Sequence, residues 1–375
     1  MQLTVPKDPF LAALQRCLPA AEQHRPHPTA GMVLLTAAEG RLVVSATNLA
    51  LLIEESLGPT VIKKAGAIVV SCRRLAAIGA VMSGDTVTIS VSDKDHTLKL
   101  SSGGQRKAQL SGLAAADYPK VARPEGLTTV ELPAAPLRKV IEQVEHAAGD
   151  TDRAFLDGVM IESSGGGLDA VALCSSRVAH TRLAVAACPE GAWFLPRYAI
   201  KPVLGICGAA DDASVSFAVA DQRHLFLRAG TVNIAAVLPA ESFPDWRKLL
   251  GLMQRQPVAR ISGLMLGHAV RAVLAAASQA DETVELTFDA EAKSISLAVH
   301  DMASGNHADD VLPCAPLDSA RSCTTSVQGR FLQSALAAAD SEVILEIATV
   351  TDNAPPALFL TTDEGYVSLI MPVGK

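Results

Sequence analysis

The sequence predicts an α+β protein built from three tandem copies of one domain, each with two helices packed on antiparallel sheets. Three observations predict it. Apolar residues recur at helical spacing twice in every stretch of about 125 residues. Between those helices the hydrophobic period switches to two, the strand period. A loop motif returns at the same interval: Leu113-Ala114-Ala115-Ala116-Asp117-Tyr118-Pro119 recurs as Leu238-Pro239-Ala240-Glu241-Ser242-Phe243-Pro244, with the two final prolines 125 positions apart. The third copy has only a weak echo, near Leu312-Pro313.

The first helix of each copy is read at Phe10 to Leu18, at Ala135 to Val144 and at Ser262 to Leu274. The second of these is entered through Pro136, which suits a first turn. The second helix follows about 60 residues later, at Ser71 to Ile78, Pro196 to Leu204 and Gln328 to Leu336. Arg73, Arg197 and Arg330 mark it at intervals of 124 and 133 positions. Pro202 is expected in a first turn, since a proline further in would break the helix. Strands are read at 42–46, 86–91, 214–219, 284–288 and 295–299, separated by turns such as Ala38-Glu39-Gly40 and Asp289-Ala290-Glu291. Gly165-Gly166-Gly167 lies between two strand-like runs and reads as a hairpin turn, not a phosphate cradle. The copies are placed at 1–126, 127–252 and 253–375.

Composition and motifs exclude several classes. Hydrophobic residues make up 49% and charged residues 19%, enough to bury a core and too apolar for a disordered chain. No apolar run is long enough for a membrane span, and Met1-Gln2-Leu3-Thr4-Val5-Pro6-Lys7-Asp8 lacks the pattern of a secretion signal. Cys17, Cys72, Cys174, Cys188, Cys207, Cys314 and Cys323 are odd in number and form no C-x-x-C pair, as expected of scattered thiols in a reducing cytoplasm. Without clustered Cys and His, no metal is expected. There is no P-loop, no dinucleotide fingerprint, no nucleophile elbow and no H-E-x-x-H, and the nine His are dispersed. No catalytic residue and no cofactor are expected.

Charge is segregated. Windows around the six helices (9–21, 71–82, 133–148, 196–209, 262–278 and 328–339) hold nine basic residues, Arg16, Arg73, Arg74, Arg138, Lys139, Arg197, Lys201, Arg271 and Arg330, against two acidic ones, Glu142 and Glu145. The formal charge of the whole chain is −7, so the helices carry +7 and the remainder −14. Each cation alone could sit on an ordinary solvated helix face. Together they suggest a cationic surface offered to a polyanion, with phosphates met by Lys and Arg without base readout.

On these features the chain resembles the bacterial DNA polymerase III beta sliding clamps over essentially its full length. The resemblance rests on the three-copy plan, the start Met1-Gln2-Leu3-Thr4-Val5, the corners Asp117-Tyr118-Pro119 and Phe243-Pro244-Asp245-Trp246-Arg247, the run Val70-Ser71-Cys72-Arg73-Arg74, Leu195-Pro196-Arg197, and the end Leu369-Ile370-Met371-Pro372-Val373. It implies a head-to-tail dimeric ring of six domains around duplex DNA. An edge strand of the first domain would pair with the third domain of the second subunit, with the helix around Leu274 near that seam. The ring would be a non-catalytic processivity factor in the cytoplasm. Its partners would be a second copy, DNA, the polymerase alpha subunit, the clamp loader and other proteins carrying a clamp-binding peptide. The DNA-facing residues expected are the helix cations Arg73, Arg74, Arg138, Lys139, Arg197, Lys201, Arg271 and Arg330 together with Arg25; of these, Arg25, Arg73 and Arg197 match contact positions of the family. The peptide pocket it implies is walled by Leu156, Leu173, Ser175, Arg177, Val178, Pro244, Lys248, Leu249, Ile370, Met371, Pro372 and Val373.

The chain departs from the family at that pocket. Leu173-Cys174-Ser175-Ser176-Arg177-Val178 stands where Thr-Asp-Gly-His-Arg-Leu is usual, and the end is Val373-Gly374-Lys375. Ala154 and Phe155 replace common aromatic hydroxyls, and Asp150 is unfavourable near DNA. Two alternatives therefore stand beside the clamp: a ring-forming paralogue with altered partners, and a cytosolic enzyme with an unmarked site.

Overall fold

The computed structural model describes residues 1–21, 29, 31–58, 60–92, 96–103, 106–119, 126–149, 152–185, 188–208, 214–278, 282–301, 305–317, 320–339, 341–349 and 355–374. One plan of elements runs along the chain three times, with one strand fewer between the helices of the second pass. The first pass is β1 (Gln2–Pro6), α1 (Lys7–Ala21), β2 (Met32–Ala38), β3 (Arg41–Thr47), β4 (Leu51–Leu57), β5 (Val61–Lys64), β6 (Gly66–Ser71), α2 (Cys72–Val81), β7 (Thr86–Ser92), β8 (Thr97–Ser102) and β9 (Arg106–Ser111). The second is β10 (Val130–Pro133), α3 (Ala134–Val144), β11 (Gly158–Ser164), β12 (Gly167–Leu173), β13 (Arg177–Ala184), β14 (Gly191–Pro196), α4 (Arg197–Gly208), β15 (Ser214–Ala220), β16 (His224–Ala229) and β17 (Val232–Val237), followed by a short extra helix, α5 (Trp246–Gly251). The third is β18 (Arg255–Ser262), α6 (Gly263–Leu274), β19 (Thr283–Asp289), β20 (Ser294–Asp301), β21 (Asn306–Pro313), β22 (Ala315–Pro316), β23 (Cys323–Gln328), α7 (Gly329–Ala339), β24 (Glu342–Ala348), β25 (Ala357–Thr361) and β26 (Val367–Ile370).

Contacts divide the chain into two compact units. One comprises Met1–Ala135 with Lys201–Leu238, the other Pro136–Ile200 with Pro239–Lys375. The first unit holds a five-stranded sheet, β5-β1-β7-β8-β9, and an eight-stranded one, β10-β15-β16-β17-β4-β3-β2-β6. The second holds a nine-stranded sheet, β14-β11-β12-β13-β26-β25-β24-β18-β22, and a four-stranded one, β21-β20-β19-β23. The units interleave along the chain because each large sheet is completed by strands of two successive passes. β17 pairs antiparallel with β4, Val232 opposite Glu55, and β13 pairs antiparallel with β26, Arg177 opposite Ile370.

The local patterns explain these elements. In α1 the buried residues Phe10, Ala13, Leu14 and Cys17 follow helical spacing. In β2, Val33, Leu35 and Ala37 alternate inward. Ser71 and Ser262 cap α2 and α6, their hydroxyls accepting from the amides of Arg74 and Met265. Gly165 and Gly166 make the expected two-residue hairpin, with φ of +56° and +70° and Ser164 paired to Gly167. Pro202 corrects the sequence reading. It is the sixth residue of α4, and the helix runs through it; Pro19 likewise lies inside α1. The packing of Ile200, Val203, Ile206 and Cys207, all buried, offsets the backbone bond that Pro202 cannot make.

Two buried polar groups organise the first unit. Glu55 is 4% exposed and is held by Arg16 through two bonds, Nε to Oε2 at 2.8 Å and Nη2 to Oε1 at 2.6 Å. Arg16 therefore neutralises a buried carboxylate and is not a spare cation, a pairing between residues 39 positions apart that composition could not reveal. Tyr118, from the recurring corner, is also buried. Its hydroxyl accepts from the Thr47 amide at 2.8 Å and lies 3.3 Å from the Ser45 carbonyl. Burial pushes the phenol well above its ordinary pKa. Tyr118→Phe should leave the Thr47 amide without this acceptor and destabilise the first unit by about 1–2 kcal/mol in urea denaturation, with unchanged far-UV circular dichroism.

Candidate functional site

The second helix of each pass begins with arginine. Arg73 and Arg74 lie in the first turn of α2, Arg197 opens α4 and Arg330 is the second residue of α7, all exposed. Free amides and the helix dipole make such a start favourable to anions, and the arginines extend that reach. Arg197 is also positioned. Its guanidinium runs over Gly149, whose φ of +92° and lack of a side chain leave the room, and lies 3.7 Å from Asp157. The remaining expected cations differ in availability. Arg138 pairs with Glu142 at 2.8 Å one turn on, and Lys139 lies 3.7 Å from Glu364. Arg271 is exposed on α6. Lys201 edges a cavity of about 380 Å³ in the first unit, lined by Gln15, Arg16, Ile53, Ile206 and Ile234 among others. Among the described residues, Arg73, Arg74, Lys201 and Arg271 form no ion pair. Arg25 and Asp150 lie outside the described residues.

The second unit carries an apolar site on one face of its nine-stranded sheet. Strand alternation puts Val171 and Leu173 of β12, Val178 of β13, Leu369 of β26 and Phe359 of β25 on that face. They pack with Leu156, Ala348, Ala357 and, from α5, Trp246 and Leu250. Around this cluster Phe155, Met160, Phe243, Met253, Val367 and Met371 are only partly buried, so apolar surface continues to solvent. Of the expected pocket residues, Leu156, Leu173, Val178 and Met371 meet here. Pro244, Pro372 and Val373 are half-buried, while Ser175, Lys248 and Leu249 are exposed.

Arg177 and Ile370 are not on this wall, contrary to the sequence reading. They are paired across β13 and β26, and alternation turns both to the opposite face. There the Arg177 guanidinium lies 3.9 Å from the centre of the Phe331 ring of α7. Trp246, Leu250, Val171 and Phe359 were missed. The i, i+4 spacing of Trp246 and Leu250 was the available signal, and it would have put Leu250 inward in place of Leu249.

Polar groups border the apolar face. Asp169 of β12, 2% exposed, meets His180 Nε2 at 2.9 Å and the Arg182 guanidinium, with Arg247 at 3.7 Å. The His180 ring packs 4.3 Å from that of Trp246, and Arg247 lies 4.1 Å from the same ring.

Residues 1–122 match the protein family described as DNA polymerase III beta subunit, N-terminal domain. The chain is similar to the beta sliding clamp of Pseudomonas aeruginosa, with 27% identity over 256 residues that cover 67% of this chain and 68% of that protein. Its similarity to the Vibrio cholerae beta sliding clamp is also 27%, over 255 residues with the same coverage. In fold it is similar to the DNA polymerase III beta subunit of Thermotoga maritima, with a TM-score of 0.87, 18% identity and coverage of 100% of this chain and 99% of that one. The Bartonella birtlesii sliding clamp bound to griselimycin gives a TM-score of 0.86, 21% identity and full coverage of both chains.

On the helix-bearing side of the sheet, one buried histidine has a lowered pKa. His146 bonds the buried Tyr366 hydroxyl at 2.9 Å, and burial followed by the nearby Arg177 charge lowers its pKa from 6.5 to about 4. The unfolded chain thus binds more protons between these two values, so this group removes stability as pH falls from 6.5 to about 4 and has no effect above. His146→Gln should flatten that segment of the unfolding free energy measured against pH.

Proposed function

We propose that this chain is a divergent bacterial beta sliding clamp, the DNA polymerase III beta subunit, acting as a ring-shaped homodimer that encircles duplex DNA and tethers the polymerase. One observation carries this reading. In the repeated strand order, β9 corresponds to β17 and β26, and β21 corresponds to β4 and β13. Two of the three equivalent junctions, β4 with β17 and β13 with β26, form inside the chain. The third pair, β9 and β21, lies at the outer edges of the two smaller sheets. A second copy joined head to tail supplies the missing partner twice and closes the assembly.

Charge favours that junction. Residues 1–126 carry 14 basic and 10 acidic side chains, whereas residues 253–375 carry 7 and 15. β9 begins with exposed Arg106 and Lys107, and β21 carries exposed Asp309. Mapped from the hairpin ends of the two formed junctions, an antiparallel β9·β21 pair sets Arg106 opposite Ala308 or Asp309. The domains of this reading are 1–126, 127–252 and 253–375.

A closed ring is linked to DNA topologically, so weak and sequence-independent phosphate contacts suffice and permit sliding. Arg73, Arg74, Arg197 and Arg330, each at a helix start, supply such contacts, and Lys201 of α4 and Arg271 of α6 add to them. The apolar face around Leu173, Val178, Trp246, Leu250 and Met371 takes a hydrophobic peptide of the polymerase or another partner. Holding that partner at the primer end raises its effective concentration, which is processivity without chemistry. The ring is non-catalytic and works in the cytoplasm; among the described residues no helix is long and apolar enough to cross a membrane.

In sedimentation at micromolar concentration the chain should be a dimer. Arg106→Glu with Lys107→Glu should shift it to monomer, and adding Asp309→Arg should recover part of the dimer. A wild-type monomer throughout contradicts the ring. Arg73→Glu with Arg197→Glu should weaken loading onto DNA about tenfold while leaving the dimer intact, since each removes a phosphate contact.

A further inference from the structure

Asp169 is an unusual residue for its place. It lies on β12, all seven residues of which are buried, in the interior of a nine-stranded sheet. A buried carboxylate is costly unless paired. It stands opposite Glu162 of β11 and Arg182 of β13, on the same sheet face as Val171 and Leu173. That face is therefore polar at one end, around Asp169, and apolar at the other, where the cluster lies.

The boundary between the two ends is Trp246. A carboxylate only accepts, so His180 donates its Nε2 hydrogen to Asp169. The other side of that link is the tilted packing of His180 against the indole, with centroids 4.3 Å apart and planes at 31°. Trp246 is 94% buried in the sense that only 6% of it is exposed, yet its Nε1 makes no hydrogen bond among the described residues. Its own polar atom does not orient it. α5 has six residues, too few to hold a place without packing. Its N-cap, Asp245 to the Lys248 amide at 3.2 Å, starts the turn but does not tie it to the sheet. Two side chains tie it there: Arg247, which bonds Glu162 of β11 and lies 3.7 Å from Asp169, and Trp246, through which α5 sets Leu250 into the cluster and Lys248 and Leu249 beside it.

We infer that Asp169, acting through His180 on Trp246, is a positioning residue that sets the affinity of the apolar site for its partner peptide. This rests on the clamp reading of that site. An apolar groove binds best when its walls are already in place, and one side wall here is a single short helix docked by a polar anchor.

The test uses the full-length protein labelled with 5-fluorotryptophan, whose two tryptophans, Trp193 and Trp246, give separate fluorine resonances. The probe is a dye-labelled peptide of the C-terminal tail of the same organism's DNA polymerase III alpha subunit, followed by anisotropy. Asp169→Asn and His180→Ala should each weaken the peptide about tenfold and shift the Trp246 resonance, and the double variant should weaken it no further, because coupled residues are non-additive. Should Asp169→Asn fail to fold, His180→Ala, with a side chain 14% exposed, carries the test alone. Lower melting temperature with unchanged peptide affinity and unchanged Trp246 resonance overturns the inference, as does a double variant near a hundredfold, the product of the singles. Met371→Ala with Pro372→Ala separates the two levels. If that pair leaves peptide binding intact, the site reading fails; if it abolishes binding while Asp169→Asn and His180→Ala do not weaken it, the positioning role alone fails.

Discussion

Backbone hydrogen bonding along strand edges is the constraint on which the rest depends. A strand edge exposes donors and acceptors that only another strand satisfies in full. The chain meets this demand internally at two equivalent junctions, and the sheets grow to eight and nine strands as a result. β9 and β21 hold the same position with no strand paired to their outer edges among the described residues, and they differ in charge, Arg106 and Lys107 against Asp309. In the proposed ring a second copy answers both. Such a ring would gain its function from topology, not from a reactive group.

The two faces of the nine-stranded sheet divide the remaining work. On one face Arg177 lies against Phe331 of α7, and Thr181 donates to Gln143 of α3 at 2.8 Å, so this face carries helices. On the other the apolar cluster reaches solvent through Phe155, Phe243 and Met371. The recurring corner shows how one motif serves both needs. In the first pass Tyr118 buries its hydroxyl among backbone groups and holds strands together. In the second pass Phe243 has no hydroxyl to satisfy and packs at the edge of the cluster.

Much of this was legible in the sequence because it is periodic. The six long helices, the hairpin at Gly165-Gly166 and the two-helix, many-strand plan all follow from spacing and turn chemistry. What was not legible depended on contacts distant in the chain. Arg16 counts as a helix cation until Glu55 is found beneath it. Pro202 reads as a helix breaker until the buried side chains around it are counted. Arg177 and Ile370 are adjacent to Val178 and Leu369 in sequence, yet one step along a strand reverses the face. Asp169, His180 and Trp246 carry no motif, and only the strand register brings them together.

A closed ring linked to DNA is distinguished from an open clasp by its retention on circular DNA. The protein is loaded with its organism's clamp loader onto a nicked circular plasmid, isolated by gel filtration in high salt, and the plasmid is then cut once with a restriction enzyme. Retention on the circle followed by release from the linear form is the predicted result. Equal retention on both forms, or dissociation from the intact circle as soon as salt is raised, would contradict it.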